Sequence, residues 1–101
     1  SSNQQIGAVM AVLNSYRNII DKRNSIVEEL RKTHESIKQA ESELEDTCDI
    51  EDLDDRDDEE TQLNQIITKR NIDLEDLESD LEFHDASVKY VEQLIETKNN
   101  D

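Results

Sequence analysis

Glu45-Asp46-Thr47-Cys48-Asp49-Ile50-Glu51-Asp52-Leu53-Asp54-Asp55-Arg56-Asp57-Asp58-Glu59-Glu60 separates two stretches of regular apolar spacing. Eleven of these sixteen residues are acidic and one is basic, so the segment carries −10 of the chain's net −16. Like charges at that density oppose a continuous helix, and the chain is expected to turn here. Asp58, Glu59 and Glu60 suit the positive N-terminal end of a following helix.

Before the turn, Ile6, Leu13, Ile20, Val27, His34, Glu41 and Cys48 recur at position a of a heptad, with Val9, Tyr16, Arg23, Leu30, Ile37 and Leu44 at d. After it, Ile67, Leu74, Leu81, Val88 and Ile95 fall at a, with Leu63, Arg70, Leu77, His84, Val91 and Lys98 at d. Spacing that alternates three and four without a slip is the pattern of a left-handed coiled coil. Composition agrees. The chain has no Pro and one Gly, and only 33% of its residues are apolar, too few for a globular core. The expected fold is all-α: a two-helix intramolecular antiparallel coiled-coil hairpin. Residues 1–5 are expected to be disordered or a cloning remnant, 6–48 the first helix, 49–60 the acidic turn, 61–98 the second helix and 99–101 a frayed end. Neither end carries a clear cap, so the sequence is expected to be a piece of a longer protein.

A hairpin turning near residue 55 should set a against d. A register in which facing residue numbers total 111 fills both seams. It layers Ile20 on Val91, Val27 on His84, Tyr16 on Ile95, Leu30 on Leu81, Ile37 on Leu74 and Leu44 on Ile67, with Leu13, Leu77 and Val88 also on the seam. It sets Glu41, the acidic seam residue, against Arg70. On the flank it predicts ion pairs of Arg17 with Glu92 and Arg31 with Glu78. Each exposed pair of this kind adds only about 0.2–1 kcal/mol, so such pairs select alignment more than they stabilise. A parallel homodimer of the first run would stack Arg23, His34 and Glu41 on themselves, which buries like charge.

The net charge of −16 argues against nucleic acid and anionic membrane as partners. No apolar run approaches 18 residues. The lone Cys48 forms no internal disulfide, which points to a reducing, cytoplasmic setting. The acidic segment fails the spacing of a calcium loop, because a frame opened at Asp52 puts Arg56 at a ligand position and Asp57 where glycine is needed. His34, His84 and Cys48 fall on different layers, too far apart to share zinc. A two-helix hairpin offers no enclosed pocket for a nucleophile and base. No enzyme activity, metal or cofactor is therefore expected within these residues.

One feature exceeds what a two-stranded seam needs. Val12, Ile19 and Ile26 of the first helix and Ile66 and Leu94 of the second occupy g, and Phe83 and Tyr90 add aromatic rings beside them. Ile19, Ile26, Phe83, Tyr90 and Leu94 are the candidate docking patch, because an exposed apolar strip usually marks a binding surface.

The segment Leu77-Glu78-Ser79-Asp80-Leu81-Glu82-Phe83-His84-Asp85-Ala86-Ser87-Val88 resembles the second helix of the regulatory coiled coil in kinesin-4 motors of the neuronal, microtubule-growth-inhibiting subgroup. The likeness lies in an apolar residue, an acid and an aromatic at 81 to 83, the acid at 85, and Ser87 followed by a β-branched residue. Leu13-Asn14, Leu30 and Ile37 fall on that family's seam. Its dense Arg/Lys clusters are thinned here to Asp21-Lys22-Arg23 and Arg31-Lys32, and the long acidic turn departs from its pattern. The resemblance implies a cytoplasmic, cytoskeletal location and a protein partner, the motor domain of the same chain, which the segment restrains. The parent would be a microtubule-dependent ATPase motor and would supply the microtubule association. Leu13, Ile20 and Leu81 would then be seam positions. The alternative expectation is an architectural or dimerisation coiled coil of an unrelated cytoskeletal or scaffold protein. The isolated chain is expected to be a monomer or a weak homodimer.

Overall fold

A computed structural model describes residues 1–100, with side chains for residues 1–97. Two helices make up the all-α hairpin: α1 (Ser2–Asp46, 45 residues) and α2 (Leu53–Asn100, 48 residues). A short 3-10 turn at Thr47–Asp49 follows α1. The expected disorder at residues 1–5 is replaced by helix. The Ser1 hydroxyl accepts from the Gln4 amide at 3.3 Å, and the Gln5 amide donates to the Ser1 carbonyl. At the other end α2 continues through Asn100, into the frayed end expected at 99–101, of which Asp101 lies outside the described residues.

The turn is much shorter than the expected 49–60, because α2 starts at Leu53. Asp52 explains the early start: its Oδ1 accepts the amides of Asp54 and Asp55 at 2.9 and 3.0 Å, an aspartate N-cap. The acids that follow lie in the first turns of α2, where the positive helix end offsets their mutual repulsion. That repulsion amounts to only about 0.2–0.5 kcal/mol for each i,i+4 pair, so a cap and a dipole overcome it. Arg56, the segment's one cation, donates through Nη2 to the Cys48 and Ile50 carbonyls, both at 3.0 Å.

The chain forms two compact units, Glu28–Glu78 and Ser1–Val27 with Ser79–Asp101. In the unit Glu28–Glu78, Leu30, Thr33, Ile37, Ala40, Leu44 and Thr47 form the inward stripe of the first half. Glu60, Leu63, Ile67, Arg70, Leu74 and Leu77 form that of α2. In the other unit the stripes are Tyr16, Ile19, Arg23 and Ile26 against Leu81, His84, Val88, Val91 and Ile95.

The α2 stripe is the a/d set. The α1 stripe is d and g, rotated about 50° from a/d by helix geometry. Seam assignments at a on α1 are corrected accordingly: Leu13 is 50% and Val27 48% exposed, Ile20 is only half-buried, and His34, Glu41 and Cys48 are exposed. Thr47 meets Glu60, numbers totalling 107, and Tyr16 with Glu92 and Arg23 with Asp85 total 108. A register near 107, not 111, therefore levels Ile37 with Arg70 and Leu44 with Leu63. Glu41 is left without Arg70, which pairs instead with Asp73 at 3.0 Å.

The cause is the composition of the rows. The a row turns polar at His34 and Glu41, whereas the g row (Val12, Ile19, Ile26, Thr33, Ala40, Thr47) carries no charge. Burying Glu41 would cost several kcal/mol. Burying the threonines costs little, since each hydroxyl finds a backbone acceptor. Thr33 donates to the Glu29 carbonyl at 2.8 Å and Thr47 to that of Leu44 at 2.6 Å, with Glu60 Oε1 at 3.3 Å as the second acceptor near Thr47.

Candidate functional site

The apolar residues that the seam leaves over define the site. In the unit containing Ser1–Val27, Ile19, Phe83, Ala86, Ser87, Tyr90 and Val91 line an open groove of about 390 Å³. Phe83 and Tyr90 stand one heptad apart on α2 and are 67% and 63% exposed, so both rings are available to a partner. Leu94, 46% exposed, follows on the same face one turn later. Ile26 does not belong to this patch. It is 7% exposed and forms part of the seam, because the d/g stripe draws it inward. Ile19 serves both roles, half-buried in the seam and lining the groove. Sequence reasoning missed Ala86 and Ser87, whose small side chains leave the space between the two rings.

The predicted flank pairs form differently. Arg17 does not pair with Glu92 nor Arg31 with Glu78, because the rotation of α1 onto its d and g rows leaves its e row, and both arginines with it, exposed to solvent. Arg31 turns along its own helix to Glu28 at 2.7 Å and Glu35 at 2.6 Å. Its hydrogen bond holds the Glu28 carboxyl below the ordinary value and lifts the guanidinium further above its own. Glu92 is taken by the Tyr16 hydroxyl, which donates to Oε1 at 2.8 Å.

That bond raises the Tyr16 pKa, with partial desolvation and the Glu92 charge adding to it and Arg23 opposing it. A folded value above the unfolded one means the bond's contribution is fully present below the ordinary phenol pKa of about 10. It is lost as pH rises through the raised folded value. In a Tyr90→Phe background Tyr16 is the only phenol, since the chain has two tyrosines. An ultraviolet alkaline titration should then place it above the ordinary value, and Glu92→Ala should bring it back.

Among the described residues no group of three or more His, Cys, Asp or Glu side chains converges as a metal site would require. The His84 Nδ1 lies 2.8 Å from the Asp80 carbonyl, and its ring meets Phe83 edge-on with centroids 5.4 Å apart. A second groove, lined by Thr61, Asn64, Gln65, Thr68, Lys69 and Ile72, runs along α2 alone and encloses nothing. No helix is long and apolar enough among the described residues to cross a membrane. What the groove offers chemically is exposed apolar and aromatic surface. No protein-family model matches the chain, and no curated protein or solved structure matches it.

Proposed function

We propose that this chain is a non-catalytic regulatory coiled coil that docks on a protein partner through the groove between Phe83 and Tyr90. The observation that carries this reading is the exposure of both rings beside Ile19, which a self-sufficient hairpin would not need. The resemblance to the kinesin-4 regulatory segment makes the partner the motor domain of its own chain. The role is then inhibition of a microtubule motor in the cytoplasm. The parent supplies the ATPase and the microtubule contact, and the segment supplies the restraint.

Binding of the chain to that motor domain tests the reading. Aromatic anchors that act as interface hot spots cost about 2 kcal/mol or more when truncated. Phe83→Glu with Tyr90→Glu is therefore expected to weaken binding at least about 30-fold while leaving helix content unchanged. Equal binding by the double variant removes the groove from the interface.

An architectural reading draws on Ile6, Val9, Met10 and Leu13, all about half exposed or more. It requires a stable dimer. A net charge of −16 on each copy works against self-association, and light scattering of the isolated chain separates the two readings.

A further inference from the structure

The chain has two tyrosines, and their surroundings differ. Tyr16 is half-buried, and its hydroxyl is held by Glu92 at 2.8 Å. Tyr90 is 63% exposed, and among the described residues its hydroxyl has no hydrogen-bond partner. Its ring forms part of the groove lined by Ile19, Phe83, Ala86, Ser87 and Val91. On a helix surface a group meets the side chains three and four residues away. At Tyr90 these are Ala86, Ser87, Gln93 and Leu94, none of them charged, in a chain that carries 27 acids. A negative group placed on Tyr90 therefore meets no like charge along α2, and the helix can keep it.

We propose that Tyr90 is a phosphorylation site for a tyrosine kinase and that its phosphate closes the Phe83 groove to partners. In the step, Tyr90 Oη attacks the γ-phosphorus of ATP. The new oxygen–phosphorus bond forms as the bond to the bridging oxygen breaks, ADP leaves, and the phenolic proton passes to the kinase's base. The phosphate brings a charge of about −1.5 to −2 at pH 7. No lining residue of the groove is a cation, and the one hydroxyl there, on Ser87, donates to the Phe83 carbonyl at 3.0 Å. A partner's apolar surface would have to strip water from that charge with nothing to pair it. Tyr16 is not an equivalent target, since a phosphate there would stand against Glu92. The switch rests on the groove being the docking surface, whereas the choice of Tyr90 over Tyr16 does not.

Incubation of the folded chain with magnesium ATP and the catalytic domain of a broad-specificity tyrosine kinase tests both parts. Mass spectrometry of tryptic peptides separates the tyrosines, because Tyr90 falls in residues 90–98 and Tyr16 in residues 1–17. The Tyr90 peptide should gain phosphate at least about tenfold faster, and circular dichroism should show unchanged helix content. The phosphorylated chain should bind the motor domain at least about tenfold more weakly, and a phosphatase should restore binding. Tyr16→Phe should be modified and weakened in the same way. Absence of phosphate from Tyr90, or equal labelling of Tyr16, overturns the site. Unchanged binding by the fully phosphorylated chain overturns the switch. Failure of the unmodified chain to bind overturns the docking reading and the switch with it, while the peptide labelling still decides the site.

Discussion

Ile26→Ala should destabilise the hairpin by about 2–4 kcal/mol, whereas Val27→Ala, one residue on, should change stability by no more than about 0.5 kcal/mol. Ile26 is 7% exposed on the g row and Val27 is 48% exposed on the a row. Removing buried methylenes loses their transfer free energy and leaves a cavity. At Val27 the smaller loss of half-buried surface is largely offset by alanine's better helix propensity. Urea unfolding followed by circular dichroism gives both values. The comparison is a direct test of which face of α1 is inside. A seam built on a and d requires the opposite order, with Val27 the costly position.

Arg56→Ala should produce the second large effect, a loss of about 1–3 kcal/mol concentrated at the turn. One guanidinium nitrogen holds the Cys48 and Ile50 carbonyls, and no other cation lies between residues 45 and 60. Its removal leaves two acceptors to water and raises the segment's net charge from −10 to −11. The Ile50 amide, which donates to the Thr47 carbonyl at 3.1 Å, reports the turn locally. Hydrogen exchange at that amide should accelerate well before the amides of Ile37 or Leu74 respond, because the seam does not depend on this contact. A uniform rise in exchange along both helices would mean that the turn and the seam open together.

The candidate site was partly legible in the sequence. Phe83, Tyr90 and Leu94 could be picked out because aromatic and leucine side chains outside a/d have no partner in a two-stranded seam. Ile26 looked equivalent to them on the same argument and is not, because its availability depends on which way α1 is turned. The signal that could have decided the matter is the g row itself. From Val12 to Thr47 it is uncharged at every heptad, while the a row meets His34 and Glu41. Threonine and alanine are weak markers of burial, so Thr33, Ala40 and Thr47 were easily passed over.

The sequence by itself determined that the chain is helical, that it breaks once near its acid-rich middle, and which face of α2 turns inward. These follow from local causes: the absence of proline, the aspartate that caps Leu53 onward, and a single continuous a/d stripe on α2. Only the tertiary structure decided the face of α1 and the register. The first helix carries three apolar rows, a, d and g, and two adjacent pairs of them have the same alternating spacing. Periodicity cannot separate two such stripes. The choice is made by what each would bury along its whole length against α2: Glu41 on one, a backbone-bonded threonine on the other. That one rotation moved Ile26 into the seam, released Leu13 and Val27 to solvent, and redirected Arg31 to Glu28 and Glu35.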